Sequence, residues 1–298
     1  MINIESELFS MSEYVIFTDS CCDLSPELLK QWGVPYANMT FSFDGEEKEY
    51  ISADMTNKEF YDRMRQGAHA KTAAINASAF TDAFTPILEG GKDILYVAFS
   101  SGLSTTVNSA HMAVEELKEQ YPERKIVVVD TLAASAGGGL MVYMAVAKKN
   151  EGASLEENAA YIESLTPQHC IWFIVDDLEY LKRGGRVSPL VAFAGGVLGI
   201  KPVLQMDEEG HLVKVATARG RKKAIEALAA KYAELSYEQK DTPIFISHAD
   251  CQEEAEQLAD LLMQRHGAEV TLITEIGPVI GSHAGPGTIA LFFIGKHR

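Results

Sequence analysis

The chain has 298 residues, 47% of them hydrophobic and 23% charged, with a formal net charge of −16. That length exceeds one core of ordinary size and predicts two domains, while the negative charge argues against sequence-independent nucleic-acid binding, which needs concentrated Lys and Arg. No apolar run reaches the roughly 18–20 residues that span a bilayer, and Met1–Glu7 has neither a basic start nor an apolar signal core, so a cytoplasmic protein without stable membrane insertion is expected.

Residues 1–12 are polar and read as an N-terminal extension. The apolar run Tyr14–Phe17 reads as a buried strand, and Ser25-Pro26 caps a helix through Lys30. The same strand-loop-helix unit recurs at Ile94–Phe99, with a helix from about Thr105 to Lys118. It recurs again at Lys125–Val129, where the small residues Ala133–Gly139 open a helix to Asn150. Alternation of this kind implies a three-layer α/β/α domain over residues 13–165 with a mostly parallel sheet, whose strand carboxyl ends are where ligands bind. Small polar groups stand at each of those ends: Thr18, Asp19 and Ser20, then Ser100 and Ser101, then Asp130 and Thr131. Each is also an ordinary cap or turn former; three sets at equivalent places favour a site.

Beyond Thr166-Pro167 the character changes, and residues 166–298 are expected to form a second, two-layer α/β domain with a mixed sheet. It opens on a strand at Cys170–Val175, a short helix to Leu181 and the segment Lys182-Arg183-Gly184-Gly185-Arg186. Ser188-Pro189 begins an apolar helix, and Val191–Leu198 is small and apolar enough either to wall a tunnel or simply to be core. Lys201–Met206 and His211–Ala218 flank the polar turn Asp207–Gly210 as a β-hairpin. A helix at Arg221–Leu235, a strand at Ile244–Ser247, a helix at Glu253–Arg265 and a strand at Glu269–Glu275 follow. Between that strand and a final one at Thr288–Ile294, His283 stands in a segment punctuated by glycine and proline, read as a rigid loop.

Several chemistries are weighed on these residues. Cys21, Cys22, Cys170 and Cys251 lie at no metal-ligand spacing and the eight histidines form no ligand pair, so reduced thiols and no metal site are expected. A hydrolase with Ser101 as nucleophile, His283 as base and Asp19 as orienter lacks a Gly-x-Ser-x-Gly elbow. Neither Gly195–Lys201 nor Gly137-Gly138-Gly139 has phosphate-binding spacing. What remains is a set of hydroxyls, one histidine and the arginines near residue 185, which suits the carboxylate of an otherwise apolar ligand.

Taken together, Thr18-Asp19-Ser20 with Asp23-Leu24, Ser100–Ser104, Asp130-Thr131, Leu178–Arg186, Ile200-Lys201-Pro202 and Gly277–Gly287 resemble, in order and over nearly the whole chain, the DegV family of bacterial fatty-acid-binding proteins. The resemblance implies a non-enzymatic carrier that needs no cofactor and binds a long-chain fatty acid between two domains. It further implies a separate fatty acid kinase as partner, acting on the presented carboxylate to make an acyl phosphate for phospholipid synthesis. Carried over by motif, Ser100, Ser101, Thr72 and His283 would hold the carboxylate, with Ser101 the expected partner of His283. Arg186 would lie near the head group, and Arg219 would support phosphoryl transfer. Thr72 takes the place of a family loop, from whose pattern Ala73 and Asn76 depart, and the segment Ser104-Thr105-Thr106-Val107 departs from the family pattern as well. A Ser101/His283 esterase is the alternative, and the acidic surface also suits docking on a basic protein partner.

Overall fold

Residues 13–187, 199–237 and 242–298 are described by the computed structural model. The expected extension at 1–12, the helix at Ser188-Pro189 and the apolar wall at Val191–Leu198 lie outside them. The chain runs β1 (Tyr14–Asp19), α1 (Pro26–Trp32), β2 (Tyr36–Ala37), β3 (Thr40–Phe43), α2 (Asn57–Arg65), β4 (Ala70–Ala73), α3 (Ala77–Glu89) and β5 (Asp93–Ala98). It continues through α4 (Thr106–Gln120), β6 (Ile126–Asp130), α5 (Ala136–Asn150), α6 (Leu155–Leu165), β7 (His169–Ile174), α7 (Glu179–Arg183), β8 (Ile200–Met206) and β9 (Leu212–Arg219). The remaining elements are α8 (Arg221–Leu235), β10 (Ile244–His248), α9 (Gln252–His266), β11 (Leu272–Glu275), α10 (Pro278–Ala284) and β12 (Ile289–Ile294).

The first sheet has the order β2-β1-β5-β6 and is parallel throughout. Its strands are apolar on both faces, so both must be covered. Phe17 and Tyr96 face Phe80 and Phe84 of α3 and Ala110 of α4, while Ile16, Leu95 and Val97 face Leu140 of α5 and Ile162 of α6. This makes three layers. The second sheet, β11-β10-β12-β7-β8-β9, is mixed: β10 and β11 are parallel and every other neighbouring pair is antiparallel. Its outer face, with Trp172, Ile174, Leu291 and Phe293, packs on α8 and α9.

Its inner face packs on α5, which therefore touches both sheets. The small residues opening α5 make that double contact possible. A Cβ on Gly137 would stand 2.8 Å from the Phe292 ring, and one on Gly139 would stand 2.7 Å from the Cys22 carbonyl oxygen. An aromatic ring of one sheet and the backbone after a strand of the other thus approach the helix more closely than any side chain there allows.

Two expectations need correction. The segment around His283 is not a loop: Pro278 occupies the first turn of α10 and Gly285, at φ +78°, follows its last residue. This is the proline-first, glycine-after arrangement of a helix. Thr72 is not in a loop either but in β4, paired antiparallel with β3 opposite Phe41. The residues between 33 and 93, to which the chain-order reading assigns no element, hold this two-stranded sheet together with α2, which lies between its strands in the chain, and α3. Their helices begin on local signals, a Thr56/Glu59 capping box and an Asn76 side chain accepting the Ala79 N–H at 2.9 Å. Asn76, a departure from the family pattern, is here a helix cap.

Candidate functional site

The carboxyl ends of β1, β5 and β6 do converge, but most of their polar groups hold the backbone. Asp19 is buried and accepts the Tyr96 hydroxyl at 2.7 Å and the N–H groups of Phe99 and Cys21, both at 3.0 Å. Burial nevertheless keeps its carboxyl above the usual aspartate range. Thr18 and Thr131 donate to the carbonyls of Val97 and Ala98, and Asp130 accepts the N–H groups of Ser101 and Leu132.

Ser100 must be corrected in the same sense. It is fully buried, its hydroxyl donates to the Gly210 carbonyl at 3.0 Å and accepts the Gly102 N–H at 3.2 Å. It ties the turn between β8 and β9 to its own loop and does not line the cavity described next. Adjacent Ser101 is exposed and does line it.

A cavity of about 350 Å³ lies between the inner face of the second sheet and the loops that follow β5 and β6. Its wall is mostly apolar: Ile171 and Phe173 from β7, Met206 from β8, and Ala290 and Phe292 from β12. Leu103 and Met39 enter from the first half of the chain, and Val279 and Ile280 from α10. Its polar lining includes Thr72, Ser101, Ser135, Arg186 and His283. A mostly apolar concave wall with a few convergent polar groups is the make-up of a small-molecule site.

His283 is held by one hydrogen bond. Its Nε2 lies 2.8 Å from the Thr72 hydroxyl, so its partner is Thr72 and not the expected Ser101. Its Nδ1 is buried without a hydrogen-bond partner. Burial, then the charge of Arg186, push the imidazole down to about 4, so the ring is neutral at pH 7 in this structure. The catalytic arrangement weighed above is not assembled: Asp19 is spent on Tyr96, Phe99 and Cys21, and no hydrogen bond joins Ser101 to His283.

Arg186 reaches the cavity with its guanidinium braced on the carbonyls of Leu103 and Gly184. Arg219 is exposed at the end of β9 and is not brought to the cavity.

Gly184 has a steric role of its own. A Cβ there would stand 2.2 Å from His283 Nδ1, closer than any real contact. Gly184→Ala is expected to push the ring off Thr72 toward solvent and raise its pKa from about 4 toward the ordinary histidine value. Titration of the imidazole resonances by NMR checks this; an unmoved pKa would show that the ring has room to spare.

Sequence reasoning missed most of the apolar wall and Ser135. The only available signal was alternation, Ile171/Phe173 and Ala290/Phe292 in step, and it is hidden because the intervening residues are buried as well.

Comparison with known proteins gives a consistent picture. A family model described as uncharacterised proteins of the DegV family matches residues 13–296. A DegV domain-containing protein of Clostridium perfringens is 41% identical over 289 residues, covering 97% of this chain and 99% of its own. A solved DegV family protein of Thermus thermophilus, described by its fatty acid binding, is similar at a TM-score of 0.85 and 32% identity, with 95% and 99% of the two chains covered. A stearic acid-binding protein of Eubacterium ventriosum is similar at a TM-score of 0.85 and 28% identity, with 95% and 98% covered.

Proposed function

Because this chain belongs to the DegV family, we propose that it binds a long-chain fatty acid, with the acyl chain in the cavity on the inner face of the second sheet and the carboxylate at Thr72, Ser101, His283 and Arg186. The observation that carries this reading is the cavity itself, apolar over most of its wall and polar at a few convergent side chains. Relatives of the same fold described as binding fatty acid and stearic acid support it. Burying a chain contributes about 0.8 kcal/mol per methylene, enough over a long acyl chain to exceed the cost of association. A buried carboxylate needs charge-assisted partners, and Arg186 and the hydroxyls are suited to that.

On this reading the protein is a carrier without a cofactor or chemistry of its own. Its partner is a separate fatty acid kinase that takes the presented carboxylate to an acyl phosphate for phospholipid synthesis. The ordered motifs of the sequence support that extension, and Arg219, exposed and away from the cavity, is free to face such a partner. Among the described residues no helix is long and apolar enough to cross a membrane.

The direct test is mass spectrometry of the protein purified gently from bacteria and then denatured. Fatty acid released in stoichiometric amount is expected; protein free of lipid that also fails to take up added oleate would sink the proposal.

A further inference from the structure

Asp23 lies in the turn between β1 and α1, buried, at a left-handed backbone φ of +47°. Its Oδ2 accepts the Ser135 hydroxyl at 2.5 Å and its Oδ1 accepts the Gly277 N–H at 2.9 Å. Its carbonyl accepts the Thr274 hydroxyl at 2.8 Å, and Ser135 in turn lies 2.9 Å from the Ser247 hydroxyl. One residue of the first half of the chain thereby holds the loop after β6, strand β11 and the residue that precedes α10, and reaches β10 through Ser135.

Two facts make this cluster more than packing. Ser135, like Asp23, is a non-glycine residue in left-handed backbone, at φ +55°. Such conformations persist only where the surroundings over-determine them. The cluster also joins the two parts of the site, because Ser135 lines the cavity and Gly277 leads into the helix that carries His283. That helix has seven residues and cannot hold itself without tertiary anchors. The Asp23 carboxylate has Ser135 and Gly277 as its partners, and burial pushes it up to about 7, with Asp19 adding to the rise. An acid kept at that cost in a cluster of neutral hydroxyls and an N–H points to a role that its geometry supplies.

We infer that Asp23 is a positioning residue for the site: its carboxyl ties the helix carrying His283 to Ser135 in the cavity wall, and its loss moves His283 off Thr72 and weakens fatty-acid binding. The part about binding rests on the function proposed above. The part about His283 does not.

The test compares the wild type with Asp23→Ala and Asp23→Asn. Oleate affinity is measured by calorimetric titration, and the His283 imidazole nitrogens are read by NMR without lipid. Removing the carboxyl is expected to lower oleate affinity by about tenfold and to shift the His283 resonances, because two buried donors lose their acceptor. The asparagine amide keeps an oxygen for the Gly277 N–H and the shape of the group, and is expected to restore both readouts to near wild type. A purely space-filling role would leave the His283 resonances alone in every variant. If Asp23→Ala does not fold, Asp23→Ser, whose short side chain cannot reach both partners, carries the same expectation.

A folded alanine or serine variant with unchanged His283 resonances overturns the inference. So does an asparagine variant as impaired as alanine. A wild type that binds no oleate overturns the fatty-acid reading, and the His283 resonances then decide by themselves whether Asp23 positions that ring.

Discussion

Replacing Ala290 by tryptophan is expected to abolish fatty-acid binding. Ala290 is a small side chain on the cavity face of β12, opposite Phe173 in the neighbouring strand and two residues from Phe292. An indole there occupies space that an acyl chain would need. Displacing six methylenes at about 0.8 kcal/mol each removes about 5 kcal/mol, a loss of more than a thousandfold in affinity. Overpacking also costs fold stability, typically about 1–3 kcal/mol, so Ala290→Val and Ala290→Leu belong in the same series. Oleate affinity should fall stepwise with side-chain size while the unfolding curves remain cooperative. Affinity indifferent to residue 290 would place the ligand somewhere other than this cavity.

The second large effect is on acid stability, and it comes from His169. This histidine at the start of β7 is fully buried, and neither ring nitrogen has a hydrogen-bond partner among the described residues. Burial, then the charge of Arg298, push it down to about 3. The unfolded chain takes up a proton below about 6.5, whereas the folded one resists until about 3. Stability linked to His169 is therefore fully present above pH 6.5 and lost as pH falls from there toward 3, by about 5 kcal/mol across the window. His169→Met, similar in bulk and apolar, should remove that slope.

The check is denaturant unfolding of both proteins from pH 8 down to pH 4, read as the difference between them. Reading the difference matters because Asp23 acts with the opposite sign. Its carboxyl is raised to about 7, so its contribution is full below the ordinary aspartate value and declines as pH rises to 7. In the wild type the two partly mask each other. A difference between wild type and variant that does not change with pH would show that His169 is solvated or paired when folded.

Elements with strong local signals were legible. The helix Arg221–Leu235 and the hairpin around Asp207–Gly210 appear in the structure as read, because apolar periodicity and turn residues act over a few neighbours. β2, β3 and β4 have two to four residues each and take their stability from a partner strand distant in the chain, β1 for β2 and each other for β3 and β4, which a local reading does not see. At α10 the punctuation was visible but ambiguous. Pro278 and Gly285 bracket a segment too short to show a helical period, so the same residues read as a loop.

The site was legible in kind and not in pairing. Ser100 and Ser101 cannot be told apart in sequence, yet one turns inward to Gly210 and the other toward the cavity. Thr72 and His283 are 211 residues apart, and only the placement of α10 beside β4 makes them neighbours.

The position of β12 has a consequence for how the protein is made. β12 lies between β7 and β10 and is antiparallel to both, although both precede it in the chain. The parallel sheet is complete once residue 130 has left the ribosome. The second sheet, by contrast, stays in two pieces until β12 emerges and slots between them. Until then the cavity lacks Ala290 and Phe292 and has no closed wall on that side. The wall on that side is thus completed only when β12 arrives, so a nascent chain passes through a stage in which the inner apolar face of the second sheet is open.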